Sequence, residues 1–297
     1  MSADARFRGA FTAVTTPFTA DGAKIDFARL EKQLDAQAAG GVCGVVICGT
    51  TGESPTIEEG EYHELVKRGV AMARARGLLA IVGTGSNSTA HAVAMQRFAA
   101  RAGADGALSV NPYYNKPTQE GLIGHFRAVA DAADLPMMLY NIPGRTGVAL
   151  TIETLERLAA HPNIRAVKDA TGGVELAGEA CLRCPNLAVL SGDDPLTLPM
   201  MAVGAVGVVS VASNIAPAMV ARLCRAALEG RFADALVEHR RLLPLVRALF
   251  AETNPIPVKA AMKLLGFDTG SMRAPMTPAT EATVARLRSA MAAAELL

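Results

Sequence analysis

The sequence predicts an α/β chain folded as a closed (β/α)8 barrel with a C-terminal helical extension. Three observations lead there. Eight short apolar runs recur along the first two-thirds of the chain, and segments with helical spacing separate one run from the next. The runs are continuously apolar rather than alternating, the pattern of parallel strands buried on both faces. Parallel strands need crossover connections, and the intervening helices supply them. At 297 residues the chain accommodates one such barrel, although two smaller domains would also fit the length.

The first run covers residues 9–16 and is followed by a helical segment at 26–39. There Phe27, Leu30, Leu34 and Ala38 fall at three- and four-residue steps, with Asp26 placed to cap the helix. Further runs lie at 42–48, 78–83, 106–110, 136–140, 164–168, 187–191 and 206–211. Helical segments at 58–75, 90–102, 119–133, 152–160 and 174–182 stand between them. Beyond the eighth run, residues 218–229, 232–250, 258–265 and 278–297 read as helix alone. The expected division is a barrel over 1–217 and a helical extension over 218–297. An open sheet of six or seven strands is the alternative.

Composition excludes several classes. With 29 Lys and Arg against 28 Asp and Glu, nothing in the global charge favours nucleic acid or an anionic membrane as partner. A 51% hydrophobic content excludes disorder. The odd set of five cysteines makes no disulfide scaffold, and residues 1–8 have no signal-peptide h-region behind them, so a cytoplasmic location is expected. Cys181 and Cys184 have C-x-x-C spacing but no second pair or histidine cluster, so no metal is expected. No charge occurs between Asp194 and Arg222, yet Pro195, Pro199, Gly204 and Gly207 interrupt that stretch. A short helix, a turn and a buried strand suit it better than a membrane span.

In barrels of this class the active site lies at the C-terminal strand ends. Those ends read Thr15-Thr16-Pro17, Gly49-Thr50-Thr51-Gly52-Glu53, Gly83-Thr84-Gly85-Ser86-Asn87 and Asn111-Pro112-Tyr113-Tyr114-Asn115-Lys116. The later four carry Tyr140-Asn141-Ile142-Pro143-Gly144-Arg145, Lys168-Asp169, Gly192-Asp193-Asp194 and Ser213-Asn214. Three of the four tyrosines fall here, and tyrosines used only as core filler would be scattered. Asp193 and Asp194 suit a carboxylate pair or, more simply, a cap for the helix after the seventh strand.

Lys168 is the most informative residue. Strand alternation puts it on one face with Ala166 and Ala170, and such small neighbours suit the barrel interior. Desolvation disfavours an ammonium, and a neutral lysine amine attacks carbonyl carbon to give a Schiff base. An exposed lysine closing a strand would fit the pattern as well. Other chemistries lack their signatures. His63, His91, His125, His161 and His239 never reach metal-ligand spacing. Neither a G-x-S-x-G elbow nor a G-x-x-x-x-G-K-[ST] loop occurs, and residues 83–88 hold only two of the glycines of a dinucleotide fingerprint.

Four motifs carry a resemblance: Gly49-Thr-Thr-Gly-Glu-Ser54, Asn111-Pro-Tyr-Tyr-Asn-Lys-Pro117, Tyr140-Asn-Ile-Pro-Gly-Arg-Thr146 and Lys168-Asp-Ala-Thr-Gly172. With them the chain resembles the dihydrodipicolinate synthase (4-hydroxy-tetrahydrodipicolinate synthase) family of the pyruvate-dependent class I aldolases. The likeness continues through Ser191-Gly-Asp-Asp194, Gly207-Val-Val-Ser-Val211, Asn254-Pro-Ile-Pro-Val-Lys259 and Ala274-Pro-Met-Thr-Pro278, so it spans essentially the whole chain. Asp169 stands where glutamate is common in the family, and Pro195 where alanine is common.

The resemblance implies that Lys168 forms an imine with pyruvate, without another cofactor, and that the resulting enamine adds to L-aspartate-4-semialdehyde. It implies a proton relay of Tyr140, Thr50 and Tyr114, with Tyr114 reaching into a neighbouring subunit of a homo-oligomer, usually a tetramer built as a dimer of dimers. Thr51, backbone at Val209, and Gly192 match pyruvate contacts, and Arg145 matches the contact to the semialdehyde carboxylate. Relatives acting on keto-sugar acids typically carry Gly-Ser-Thr-Gly-Glu where this chain has Thr50-Thr51; another pyruvate-dependent aldolase or dehydratase of that kind is the alternative. L-lysine often inhibits the family, at positions matching Ser54, Pro55, Glu59, Tyr62, Asn87, His91 and Tyr113. Feedback-sensitive enterobacterial members have histidines at the positions of Glu59 and Tyr62 and a glutamate at that of His91, so weak or absent inhibition is expected.

Overall fold

The computed structural model describes residues 4–297; residues 1–3, part of the N-terminal stretch read above for an export signal, lie outside the described residues. Eight parallel strands close on themselves in chain order. They are β1 (Gly9–Ala13), β2 (Gly44–Ile47), β3 (Leu79–Gly83), β4 (Gly106–Val110), β5 (Met137–Asn141), β6 (Ile164–Asp169), β7 (Ala188–Ser191) and β8 (Gly207–Ser210). The open-sheet alternative is therefore excluded: β1 pairs with β8 as well as with β2. At the closing seam a Cβ on Gly207 would lie 2.0 Å from the carbonyl oxygen of Gly9, so the two strands meet only with glycine there.

Continuous apolar runs suit this geometry because each strand buries two faces. Alternate residues, among them Phe11, Val46, Ile81, Leu108, Met138, Ala166, Leu190 and Val209, fill the barrel interior. The residues between them, such as Val45, Ala80, Leu139, Val167 and Val208, pack outward against the helices. Full burial of each large apolar side chain contributes about 1.5–3 kcal/mol.

The outer ring contains α1 (Phe27–Ala39), α2 (Glu59–Ala75), α3 (Thr89–Arg101), α4 (Gln119–Ala130), the one-turn α5 (Pro143–Thr146), α6 (Ile152–Ala159), α7 (Glu175–Arg183), α8 (Thr197–Ala202) and α9 (Pro217–Leu228). Asp26 caps α1 as the pattern indicated, accepting the N–H of Arg29 at 3.1 Å. After α9, which packs on β1 and β8, come α10 (Phe232–Leu249), α11 (Ile256–Leu264) and α12 (Glu281–Ala293). Among the described residues, no helix is long and apolar enough to cross a membrane.

Three local differences from the sequence pattern have physical reasons. β1 stops at Ala13, short of Thr16, because the next residues bond elsewhere: the Thr15 N–H donates to Asn214 Oδ1 at 3.2 Å and Thr16 Oγ1 to the Gly52 carbonyl at 2.7 Å. The last helix starts at Glu281 behind a Thr280 cap. The turn α5 was not foreseen, since four residues are too few to show helical periodicity.

Candidate active site

Lys168 on β6 stands opposite Tyr140 on β5 and opposite Leu190 on β7. Alternation along β6 turns it inward above Ala166, which belongs to the interior cluster. The lysine is 5% exposed, and its Nζ lies over the face of the Tyr140 ring, 4.0 Å from the centroid. The reading of Lys168 as an exposed strand-end lysine is thereby excluded.

A cavity of about 60 Å³ opens at this point, and six of the eight candidate catalytic and substrate residues line it: Thr50, Thr51, Tyr140, Arg145, Lys168 and Gly192. Gly192 closes against the lysine, for a Cβ there would lie 3.0 Å from Lys168 Cε and 2.9 Å from the Ala170 Cβ. Two candidates lie elsewhere. Val209 is buried in the interior cluster of the barrel, and Val211 lines the cavity on that side. Tyr114 is 90% exposed, far from burial in its own chain, and holds a left-handed backbone at φ +74°.

The loop after β2 that carries Thr50 and Thr51 is fastened from three directions. Thr16 Oγ1 donates to the Gly52 carbonyl, as noted, and the Asn254 amide Nδ2 donates to Thr51 Oγ1 at 3.0 Å. Glu53 takes φ +54°, a left-handed conformation that costs a non-glycine residue about 1–3 kcal/mol. Its carboxylate accepts from Lys259 Nζ at 2.7 Å and from the Arg273 N–H at 3.1 Å. Lys259, on α11, is fully buried and also donates to the Thr16 carbonyl at 3.0 Å. Arg145 is set by α5 and donates from its guanidinium to the Asn254 carbonyl at 2.9 Å.

The carboxyls after β7 are not a cap for the following helix. Asp194 turns toward β8 instead, accepting from Ser210 Oγ and from the N–H groups of Val211 at 2.9 Å and Ala212 at 3.1 Å. Burial pushes the Asp193 and Asp194 carboxyls above the usual carboxylate range, and the Lys168 charge pulls both back. Asp169, next to Lys168 and so on the opposite face, is also pushed up by burial, against a bond from the Thr171 N–H at 3.0 Å.

A second cavity of about 380 Å³ adjoins the first, sharing Thr50, Ile142 and Arg145. Of the seven effector positions, Ser54, Pro55, His91 and Tyr113 line it. Three do not. Tyr62 is a core residue whose hydroxyl donates to the Gly83 carbonyl at 3.1 Å. Glu59 is exposed in the first turn of α2, and Asn87 is occupied in a loop, where its carbonyl accepts from the Asn115 amide at 2.9 Å. Among the described residues, no three His, Cys, Asp or Glu side chains gather as metal ligands, and all five cysteines are unpaired.

Sequence reasoning missed Asn254, Lys259 and Phe250 at this end of the barrel, although the motif from Asn254 to Lys259 was noticed. The usable signal is Lys259 flanked by Ile256, Pro257, Val258, Ala260, Ala261 and Met262, since a lysine buried among apolar neighbours must be paired.

The chain is similar to known proteins along nearly its whole length. A profile of the Dihydrodipicolinate synthetase family matches residues 6–294. The 4-hydroxy-tetrahydrodipicolinate synthase of Persephonella marina is 50% identical over 273 residues, covering 91% of this chain and 92% of that protein. The enzyme of that name from Leptospira biflexa serovar Patoc is 48% identical over 278 residues, covering 93% and 94%. Among solved structures, the DHDPS from Cyanidioschyzon merolae with lysine bound superposes with a TM-score of 0.96 at 43% identity, covering 99% of this chain and 100% of that one.

Proposed function

The chain belongs to the dihydrodipicolinate synthetase family, and from that membership we propose how its cavity performs the 4-hydroxy-tetrahydrodipicolinate synthase reaction of the diaminopimelate route to lysine. The protein is a lyase of the class I aldolase type, joining pyruvate to L-aspartate-4-semialdehyde. One observation carries the mechanism: a lysine amine, 5% exposed, at the wall of a small cavity beside a tyrosine.

The free amine of Lys168 attacks C2 of pyruvate, and loss of water gives the imine. Removal of a methyl proton yields the enamine, whose carbon adds to the aldehyde. The semialdehyde's own amino group then attacks C2, closing the ring and releasing Lys168. Every step moves a proton, which the hydroxyls of Tyr140 and Thr50 relay. Thr51 and the backbone around Gly192 and Val209 bind the pyruvate carboxylate end, and Arg145 binds the carboxylate of the semialdehyde. Thr50-Thr51 and Arg145 together favour this acceptor over a keto-sugar acid.

The decisive test is borohydride reduction in the presence of pyruvate, followed by peptide mass mapping. Labelling at Lys168 is expected; labelling elsewhere, or none, ends the imine reading.

Tyr114 completes the relay from a neighbouring subunit. Its exposure and strained φ support that role, since strain of this kind collects at functional sites. The active form is then a homo-oligomer, at least a dimer and with a tetramer expected, in the cytoplasm. Mixing Tyr114→Phe with Lys168→Ala protein should restore activity that neither has alone, because mixed dimers hold one intact site. L-lysine should inhibit weakly or not at all, as His91 supplies no anion to pair with an effector ammonium. Half-inhibition at sub-millimolar lysine would contradict this.

A further inference from the structure

We infer that Asn254 is a positioning residue that turns the hydroxyl proton of Thr51 toward the bound keto acid. The inference rests on the carboxylate role given to Thr51 above. Asn254 is 8% exposed and Thr51 2%, and both line the cavity beside Lys168. The Asn254 Nδ2 donates to Thr51 Oγ1 at 3.0 Å. A hydroxyl has one proton and two lone pairs. Once its oxygen accepts from an amide, the proton is free for another acceptor, and a keto acid brings a carboxylate.

The opposite arrangement, with the amide oxygen facing Thr51, would consume that proton and present a lone pair to the anion. Anion binding therefore selects the orientation seen. The same residue serves the second anchor through its main chain, since the Asn254 carbonyl accepts from the Arg145 guanidinium at 2.9 Å. Asn254 Oδ1 is buried with no partner in the chain. A buried orphan acceptor is costly, so the side chain is not held in place for stability. One asparagine thus separates the two anchors: its side chain governs the keto acid, and its backbone governs the aldehyde substrate.

The test combines Asn254→Ala, Asn254→Asp, Thr51→Val and the Asn254→Ala/Thr51→Val double variant. Each is titrated with pyruvate under borohydride, reading the Lys168 adduct by mass, alongside steady-state kinetics. The N254A and N254D proteins should need about ten-fold more pyruvate or more for half-labelling, because a hydrogen bond to a charged group is lost. The aldehyde KM should stay within about three-fold, since Arg145 keeps its backbone partner. In the T51V background, N254A should add nothing. N254D has the shape of asparagine but its carboxylate only accepts hydrogen bonds, so it carries the test if N254A fails to fold. Unshifted half-labelling, additive effects in the double variant, or a rise confined to the aldehyde KM would each overturn the inference. No adduct in the wild type overturns the imine reading and this inference with it; an adduct there with unshifted variants overturns this inference alone.

Discussion

Tyr140 and Lys168 face each other across the β5–β6 ladder, and the lysine Nζ rests over the tyrosine ring, 4.0 Å from its centroid. The register makes this contact obligatory: slipping either strand by one residue would turn one partner out of the barrel. The pairing therefore fixes a nucleophile and a hydroxyl on one wall of the cavity without any loop to hold them.

Replacing Tyr140 by Phe isolates the hydroxyl. The packing of the lysine over the ring, 4.0 Å from its centroid, survives. The relay, about 10²–10⁴-fold in rate, does not. Condensation should fall by about 10²-fold or more while the melting temperature stays within a few degrees. A fall of less than ten-fold would remove Tyr140 from the relay.

Gly192→Ala probes the space around the amine. The new Cβ would meet Lys168 Cε and Cγ at 3.0 Å and the Ala170 Cβ at 2.9 Å, and only the lysine can move away. Overpacking of this size costs about 1–3 kcal/mol, and a displacement near 1 Å costs about 10²-fold in rate. Borohydride trapping at Lys168 should slow accordingly. Gly60→Ala is the control: nothing lies within 4 Å of that position on α2, so trapping should be unchanged and stability equal or higher.

Breaking the buried ion pair behind the β2 loop should be expensive. Lys259 and Glu53 are both inside the protein, with Nζ and Oε1 2.7 Å apart. Lys259→Met leaves the Glu53 carboxylate with only the Arg273 N–H as partner, and removing one member of such a pair costs about 3–5 kcal/mol. Urea denaturation measures the loss. The double variant Lys259→Met/Glu53→Gln, which removes both charges, should recover a large part of it; no recovery would mean the pair is not what holds the loop.

Most of this architecture was legible because it rests on repetition. Eight apolar runs announce eight strands, and a chain in which strands and helices alternate has few ways to fold. Lys168 was legible for a related reason, as a lysine at the end of such a run on one face with Ala166 and Ala170. Asn254 and Lys259 were not. Their roles depend on contacts with Thr51 and Glu53, more than 200 positions away in sequence, and no local pattern encodes such a pairing. The expected Asp194 cap failed likewise, since its acceptor role goes to the turn after β8 rather than to its own helix. Of the effector positions read from family likeness, Tyr62 packs as core in this chain and Glu59 is exposed on α2, so neither lines the second cavity.

Asp268 gives the fold a pH dependence whose sign can be fixed. Its carboxyl is buried, accepts the Gly270 N–H at 2.8 Å, and has one oxygen without a hydrogen-bond partner, 4.0 Å from Lys259 Nζ. Burial pushes its pKa from 3.8 up to about 6, with the attraction of Lys259 already opposing that shift. The folded state thus binds this proton more tightly than the unfolded chain. The stabilisation is complete below the unfolded value and is lost as pH rises through about 6, a change of about 3 kcal/mol. Asp268→Asn keeps the acceptor for Gly270 and stays neutral at every pH. The unfolding free energy of D268N relative to wild type should therefore be flat below about pH 3, climb between there and about pH 7, and level off above it. Urea titrations across that range measure the difference directly; a flat or falling difference would show that the carboxylate is already at ease beside Lys259.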